Sequence, residues 1–148
     1  MRYHQGMAPR IVLDTNVFIA ALLGPRGASR QVVRASLQGR YHVMMSTSLA
    51  LEYEAVANRE EIMAQSGLSR ERLETLLDAL FHVCHWHRVY YTWRPNLPDE
   101  GDNHVLELAI ASGVPLLVTH NQADFHGAEL RFPWLRIVTP DVLLKEYP

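Results

Sequence analysis

The stretch Arg10-Ile11-Val12-Leu13-Asp14-Thr15-Asn16 decides the fold. Three consecutive apolar residues stop on a carboxylate and two small polar residues, and an apolar run from Val17 to Leu23 follows at once. A short all-apolar strand with a helix directly behind it belongs to a parallel sheet covered on both faces. Ligands bind such sheets outside the carboxyl ends of the strands, where Asp14 would sit. Asp, Thr and Asn are also good helix caps, so this stretch alone leaves Asp14 open between a site residue and an N-cap.

The same alternation continues outward. Gly24-Pro25-Arg26-Gly27 is a turn, and Ala28 to Gln38 predicts a helix closed by Gly39. Tyr41 to Met45 predicts a second buried strand, and Ser46-Thr47-Ser48 offers caps for a helix from Leu49 to Asn58. On that helix Glu52 and Glu54 lie about 200° apart, so only one can face the site, and Glu52 falls on the first turn past the strand. Glu54 and Arg59-Glu60-Glu61 read as a solvated face. Leu73, Leu76, Leu77, Leu80 and Phe81 repeat at helical spacing after Ser69, the pattern of a packing helix. Val89 to Thr92 predicts a strand, and Asn103 to Ser112 a helix with Asp102 as its N-cap. Pro115 to Thr119 and Leu135 to Val138 predict two more strands, and Thr139-Pro140-Asp141 starts a last helix. Alternating strands and helices imply a parallel sheet with right-handed crossovers. The expected architecture is therefore one domain over residues 10–148, a three-layer α/β/α sandwich of Rossmann-like topology, behind a frayed segment at 1–9.

Composition narrows the class. At 148 residues, 48% hydrophobic and 20% charged, the chain is globular and far from the disordered range. A formal charge of −2 argues against a surface that is basic throughout. The basic residues are 13 arginines and one lysine, Lys145, a split that a bias toward Arg codons explains as well as phosphate recognition does. One cysteine, Cys84, excludes an internal disulfide and fits a reducing cytoplasm. No apolar run approaches the ~20 residues of a membrane span. His82, Cys84, His85 and His87 are all metal-ligand types, but zinc sites need two ligand pairs separated by a longer loop, and the partner pair is missing. Half-buried packing fits that piece better, and an aromatic platform of Trp86, Tyr90, Tyr91 and Trp93 for stacking bases stands no higher than the metal reading.

If the sheet is parallel, Asp14, Glu52, Asp99 or Asp102, and Asn121 or Asp124 all follow strand ends or open helices on one edge. Carboxylates gathered in a cleft repel each other unless a cation is bound, and a hard divalent ion prefers oxygen ligands. Mg2+ or Mn2+ held there activates water and steadies charge on a phosphodiester. Thr15, Asn16 and Thr119 stand where they would orient the ligands from behind.

These landmarks resemble a PIN domain: Leu13-Asp14-Thr15-Asn16 after a strand, Glu52 in SLALEYEAV, Asp102 opening DNHVLELAIASG, and the LLVTHNQADF segment. The resemblance spans Val12 to the final TPDVLLKE and is closest to PIN proteins described as toxins of toxin–antitoxin pairs, the VapC type. It implies a Mg2+- or Mn2+-dependent ribonuclease, usually a dimer, often silenced by a cognate antitoxin protein. By position, Asp14, Glu52 and Asp102 match the first three acids and Asp99 an additional one seen in some relatives. Asn121 stands where many PIN domains carry Asp, with Asp124 three residues later, so the resemblance leaves the fourth position, and the number of metals, open.

Two other readings compete. A PIN scaffold that binds RNA or protein without cutting follows from Asn121. A haloacid-dehalogenase-like phosphatase also starts from a strand-end Asp but needs a second Asp two residues on, where this chain has Asn16. A nucleotide-binding module is excluded by the absence of G-x-G-x-x-G and of G-x-x-x-x-G-K-[ST].

Overall fold

The computed structural model of the protein describes residues 8–89, 100–125 and 127–148, and within 100–103 the backbone alone. In chain order the elements are β1 (Arg10–Leu13), α1 (Thr15–Leu23), α2 (Ala28–Leu37), β2 (His42–Met45), α3 (Thr47–Ala57), α4 (Glu60–Ser66) and α5 (Arg70–Val83). Then come β3 (His85–Trp86), α6 (Glu100–Ser112), β4 (Leu116–Val118), a 3₁₀ turn (Gln122–Phe125), α7 (Ala128–Arg131), β5 (Arg136–Val138) and α8 (Pro140–Glu146). The five strands form one sheet in the order β3-β2-β1-β4-β5, every pairing parallel.

That order follows from the connections. Right-handed crossovers carry the chain from β1 outward to β3 through α1–α5 on one face, then back over the sheet through α6 on the other. α6 lies on β1, β2 and β4, while α5 contacts β2 from the opposite side and α8 packs beside α2. Burial on both faces is why the strands are continuous apolar runs: Ile11, Val12, Leu13, Leu117 and Val118 are all fully buried. Strand order reverses between β1 and β4, so the crevice beyond their carboxyl ends is the topological switch point.

The three-layer α/β/α expectation holds, with differences in detail. Arg59-Glu60-Glu61 is exposed, as a solvated face should be, but Glu60 and Glu61 also open a separate helix, α4. Their charges suit a helix N-terminus, and Gly67 closes it with φ of 70°. The strand expected at Val89–Thr92 falls earlier, at His85–Trp86, where His85 registers on Met44 and Trp86 on Met45; Tyr90 to Thr92 lie outside the described residues. Asp102 is not an N-cap: α6 already runs from Glu100, so Asp102 sits in its first turn. Residues 1–7 of the frayed segment lie outside the described residues, whereas the Pro9 carbonyl accepts the His42 N–H at 2.8 Å and is tied to the sheet. No described helix is long and apolar enough to cross a membrane.

Candidate active site

Asp14 is the residue on which β1 becomes α1. Its N–H still belongs to the sheet, donating to the Val118 carbonyl at 2.9 Å, and its own carbonyl accepts from Val17 N–H at 3.0 Å in the first helical turn. It stands at the N-cap position with extended backbone, yet its side chain makes no capping hydrogen bond. The carboxylate engages side chains instead: Thr119 Oγ1, past the neighbouring strand's end, donates to Oδ2 at 2.8 Å, and Asn16 Nδ2, in the first turn of α1, at 3.2 Å. The cap reading therefore does not hold, since a capping Asp spends its oxygens on the N–H groups of its own helix. Asp14 is only 5% exposed, and a hydroxyl and an amide hold its Oδ2 in place.

Thr119 is the hinge of the arrangement. Fully buried, it sits one residue past β4, where its N–H closes the ladder to Val138. Its hydroxyl gives its proton to Asp14 and accepts from Asn121 N–H at 3.0 Å and Asn16 Nδ2 at 3.3 Å. Asn16 bridges back: its Oδ1 accepts the His120 N–H at 3.2 Å. The switch point is thus laced together by side chains from β1's end and β4's end. As an amide donor to Asp14, Asn16 has no proton to give as a general acid, which removes the phosphatase reading.

Glu52 reaches the same rim from α3. Thr15 Oγ1 donates to Glu52 Oε2 at 2.5 Å, and the imidazole Nδ1 of His104 on α6 lies 4.0 Å from Oε1. The next residue, Tyr53, was not singled out in the sequence. Its hydroxyl donates to the Leu13 carbonyl at 2.6 Å and its ring stacks on Phe18 at 5.1 Å, so it pins the strand end directly before Asp14. Burial pushes its phenol well above the ordinary tyrosine range, with Cys84, Asp14 and Glu52 adding to the effect, so it stays a donor. The only advance sign was an aromatic beside a candidate acid. His120 was likewise passed over: its Nε2 lies 2.6 Å from Ser29 Oγ, joining α2's first turn to the rim.

The remaining expected residues divide. Asn121 contributes its N–H to Thr119 while the residue itself is exposed. Asp124 is exposed on the 3₁₀ turn, its N–H on the Asn121 carbonyl at 3.0 Å, and its carboxylate makes no hydrogen bond among the described residues. Asp99 and the Asp102 side chain lie outside the described residues. Accordingly, no three His, Cys, Asp or Glu side chains gather around one point among the described residues. The expected set lacks its third acid there. The donors that are described, carboxylate oxygens held by hydroxyl and amide groups, have the hard character a divalent ion prefers, so they fit one. In the His-rich piece Cys84 is buried, which pushes its thiol up to about 12, and His87 Nε2 meets Met44 Sδ at 3.1 Å, while His82, His85 and Trp86 are exposed.

Compared with protein-family models, the chain matches the one described as PIN domain over residues 10–123. The match takes in β1 through the start of the 3₁₀ turn and stops one residue before Asp124. No curated protein matches the chain.

Proposed function

The chain belongs to the PIN-domain family, whose members are in general divalent-metal nucleases, and from that premise we propose that it is a Mg2+- or Mn2+-dependent endoribonuclease. The observation that carries the reading is the buried Asp14 carboxylate, which caps no N–H of its own helix and is held at the switch point by Thr119 and Asn16. Asp14, Glu52 and Asp102 would hold the ion, with Asp99 and Asp124 as further acids at the margin. A divalent ion so held supplies Lewis-acid activation of water and neutralisation of charge on the phosphodiester. The protein's own part is orientation. The Thr119 hydroxyl proton fixes Asp14 Oδ2, and the Thr15 hydroxyl proton fixes Glu52 Oε2, so neither carboxylate must reorganise during reaction. Tyr53, through the Leu13 carbonyl, holds the backbone from which Asp14 projects.

The proposal extends to a toxin of a toxin–antitoxin pair, acting in the cytoplasm as a homodimer and silenced by a cognate antitoxin. It rests there on the likeness of Asp14-Thr15-Asn16 and LLVTHNQADF to such proteins. The test is cleavage of single-stranded RNA by purified protein with Mn2+, Mg2+ or EDTA. Wild type cuts with either metal and not in EDTA, and Asp14→Asn does not cut. RNA bound but uncut by wild type would move the chain to the scaffold reading that Asn121 invites. Cutting that survives Asp14→Asn would remove the assignment altogether.

A further inference from the structure

Between Asp14 and Glu52 the sequence holds four arginines, Arg26, Arg30, Arg34 and Arg40, and no Asp or Glu, although the chain as a whole carries −2. Three of these arginines form one strip. Arg30 and Arg34 edge a groove of about 230 Å3 floored by Phe18, Leu22 and Val33. Arg34 and Arg40 edge a second hollow of about 280 Å3, together with Gln31 and Gln38. Arg30 is committed to the fold, donating to the Ala21 carbonyl at 2.8 Å and the Leu22 carbonyl at 3.3 Å at the end of α1. Arg34 and Arg40 are exposed and make no side-chain hydrogen bond or ion pair among the described residues.

The strip starts at the rim. Ser29 in the first turn of α2 meets His120, whose N–H meets Asn16. From Ser29 to the end of α2 is about 12 Å at ~1.5 Å per residue. That is roughly three to four phosphates of one stacked strand at ~3.4 Å each. A rim of carboxylates repels a polyanion, so a substrate strand needs compensating charge close by. Two exposed guanidinium groups that make no ion pair among the described residues, flanked by two neutral amides and with Leu144 and Pro148 on the far wall, supply it. The Arg fork also suits phosphate oxygens bidentately.

We propose that α2 and the turn at Arg40 are the RNA-backbone track of this protein, with Arg34 and Arg40 binding phosphates of the strand that leaves the Asp14 rim. For its choice of polyanion the inference rests on the chain being an RNA enzyme. Phosphate contacts carry affinity and position but no sequence, so the track binds without base preference.

The experiment measures anisotropy of an end-labelled 12-nucleotide oligoadenylate against the full chain, in EDTA, over a salt series. The double variant Arg34→Gln, Arg40→Gln binds at least tenfold more weakly than wild type. Its slope of log K against log salt falls by about 1.4, two single-strand phosphates at ~0.7 each. The charge-matched variant Arg59→Gln, Arg72→Gln, at exposed positions off the strip, stays within twofold of wild type. The track is overturned if wild type does not bind at low salt, if the double variant binds like wild type, or if the control loses as much. It is overturned equally if polyglutamate of the same charge displaces the RNA at equal concentration, which would make the face an acidic-protein surface. EDTA separates this test from the nuclease question. Arginine-dependent binding by a protein that never cuts with Mn2+ sinks the nuclease and keeps the track, and cutting with arginine-independent binding does the reverse.

Discussion

The two ends of the candidate rim are built differently. At the β1 end, Asp14 is buried and its Oδ2 is fixed by two donors from different elements. At the far end, Asp124 is exposed on a 3₁₀ turn, beyond the stretch the PIN family matches, and its carboxylate makes no hydrogen bond among the described residues. Both are acids at a strand's carboxyl end, and composition cannot tell them apart. What separates them is preorganisation. A side chain whose rotamer is set by its neighbours loses nothing when it binds an ion, whereas a free one must be ordered first.

The largest effect expected from this contrast is on cleavage. Asp14→Asn lowers the Mn2+-dependent rate by roughly a thousandfold, the upper range for removing one electrostatic group from an active site, and Asp124→Asn by no more than about tenfold. The thermal midpoint of Asp14→Asn stays within a few degrees of wild type, because the Asn side chain keeps the shape and its carbonyl oxygen still accepts from Thr119 and Asn16. Parallel rate and melting measurements on the two variants decide it, and equal losses would break the comparison. Next in size is Thr119→Val against Asn121→Ala. The valine keeps the shape but leaves Asp14 without its closest donor, costing about 10- to 100-fold in rate or metal affinity, the usual range for a residue that orients a ligand. Asn121 engages the rim through its backbone N–H, which alanine keeps, so that variant stays within about threefold. Mn2+ titration of both variants is the check.

How much of this was visible beforehand follows the same physics. The strand at Ile11–Leu13, its stop on Asp14 and the sandwich could be read because burial on both faces forces continuous apolar runs, a one-dimensional signal. The helix α4 was hidden because Arg59-Glu60-Glu61 is both a helix start and a solvated turn in composition. The strand β3 is two residues long, too short for any periodicity, and it is fixed by register on Met44 and Met45. At the site, Asp14, Glu52, Thr15, Asn16 and Thr119 could be named from strand-end position alone. The choice between cap and rim for Asp14, and the work of Tyr53 and His120, depend on contacts across 37 to 105 residues of sequence, and spacing carries none of that.

Tyr53→Phe sharpens the comparison from beneath. It keeps the stacking on Phe18 and removes only the hydrogen bond to the Leu13 carbonyl, leaving that buried acceptor one donor short. The expected cost is about 1–3 kcal/mol for an unsatisfied buried group. In a chain of this size that lowers the melting midpoint by about 2–4 °C for each kcal/mol. Because the strain falls on the residue before Asp14, cleavage drops several-fold as well. Calorimetry beside the rate assay separates the two, and a fall in stability with an unchanged rate would mean that Asp14 is held by Thr119 and Asn16 alone.

The smallest effect comes from completing the weak end. Asn121→Asp adds a carboxylate at the position where the family resemblance calls for one, on a residue whose backbone N–H already ties it to Thr119. The new charge stands in solvent, where a unit charge acts on a divalent ion with only about 1 kcal/mol at ~8 Å. Mn2+ affinity should therefore rise by a few-fold and no more, and raising the salt to ~1 M should erase most of the gain, since the screening length falls from ~10 Å at 0.1 M to ~3 Å there. A gain of a hundredfold that survives salt would mean that the rim closes over residue 121 when the ion binds, and that the exposed end is as built as the buried one.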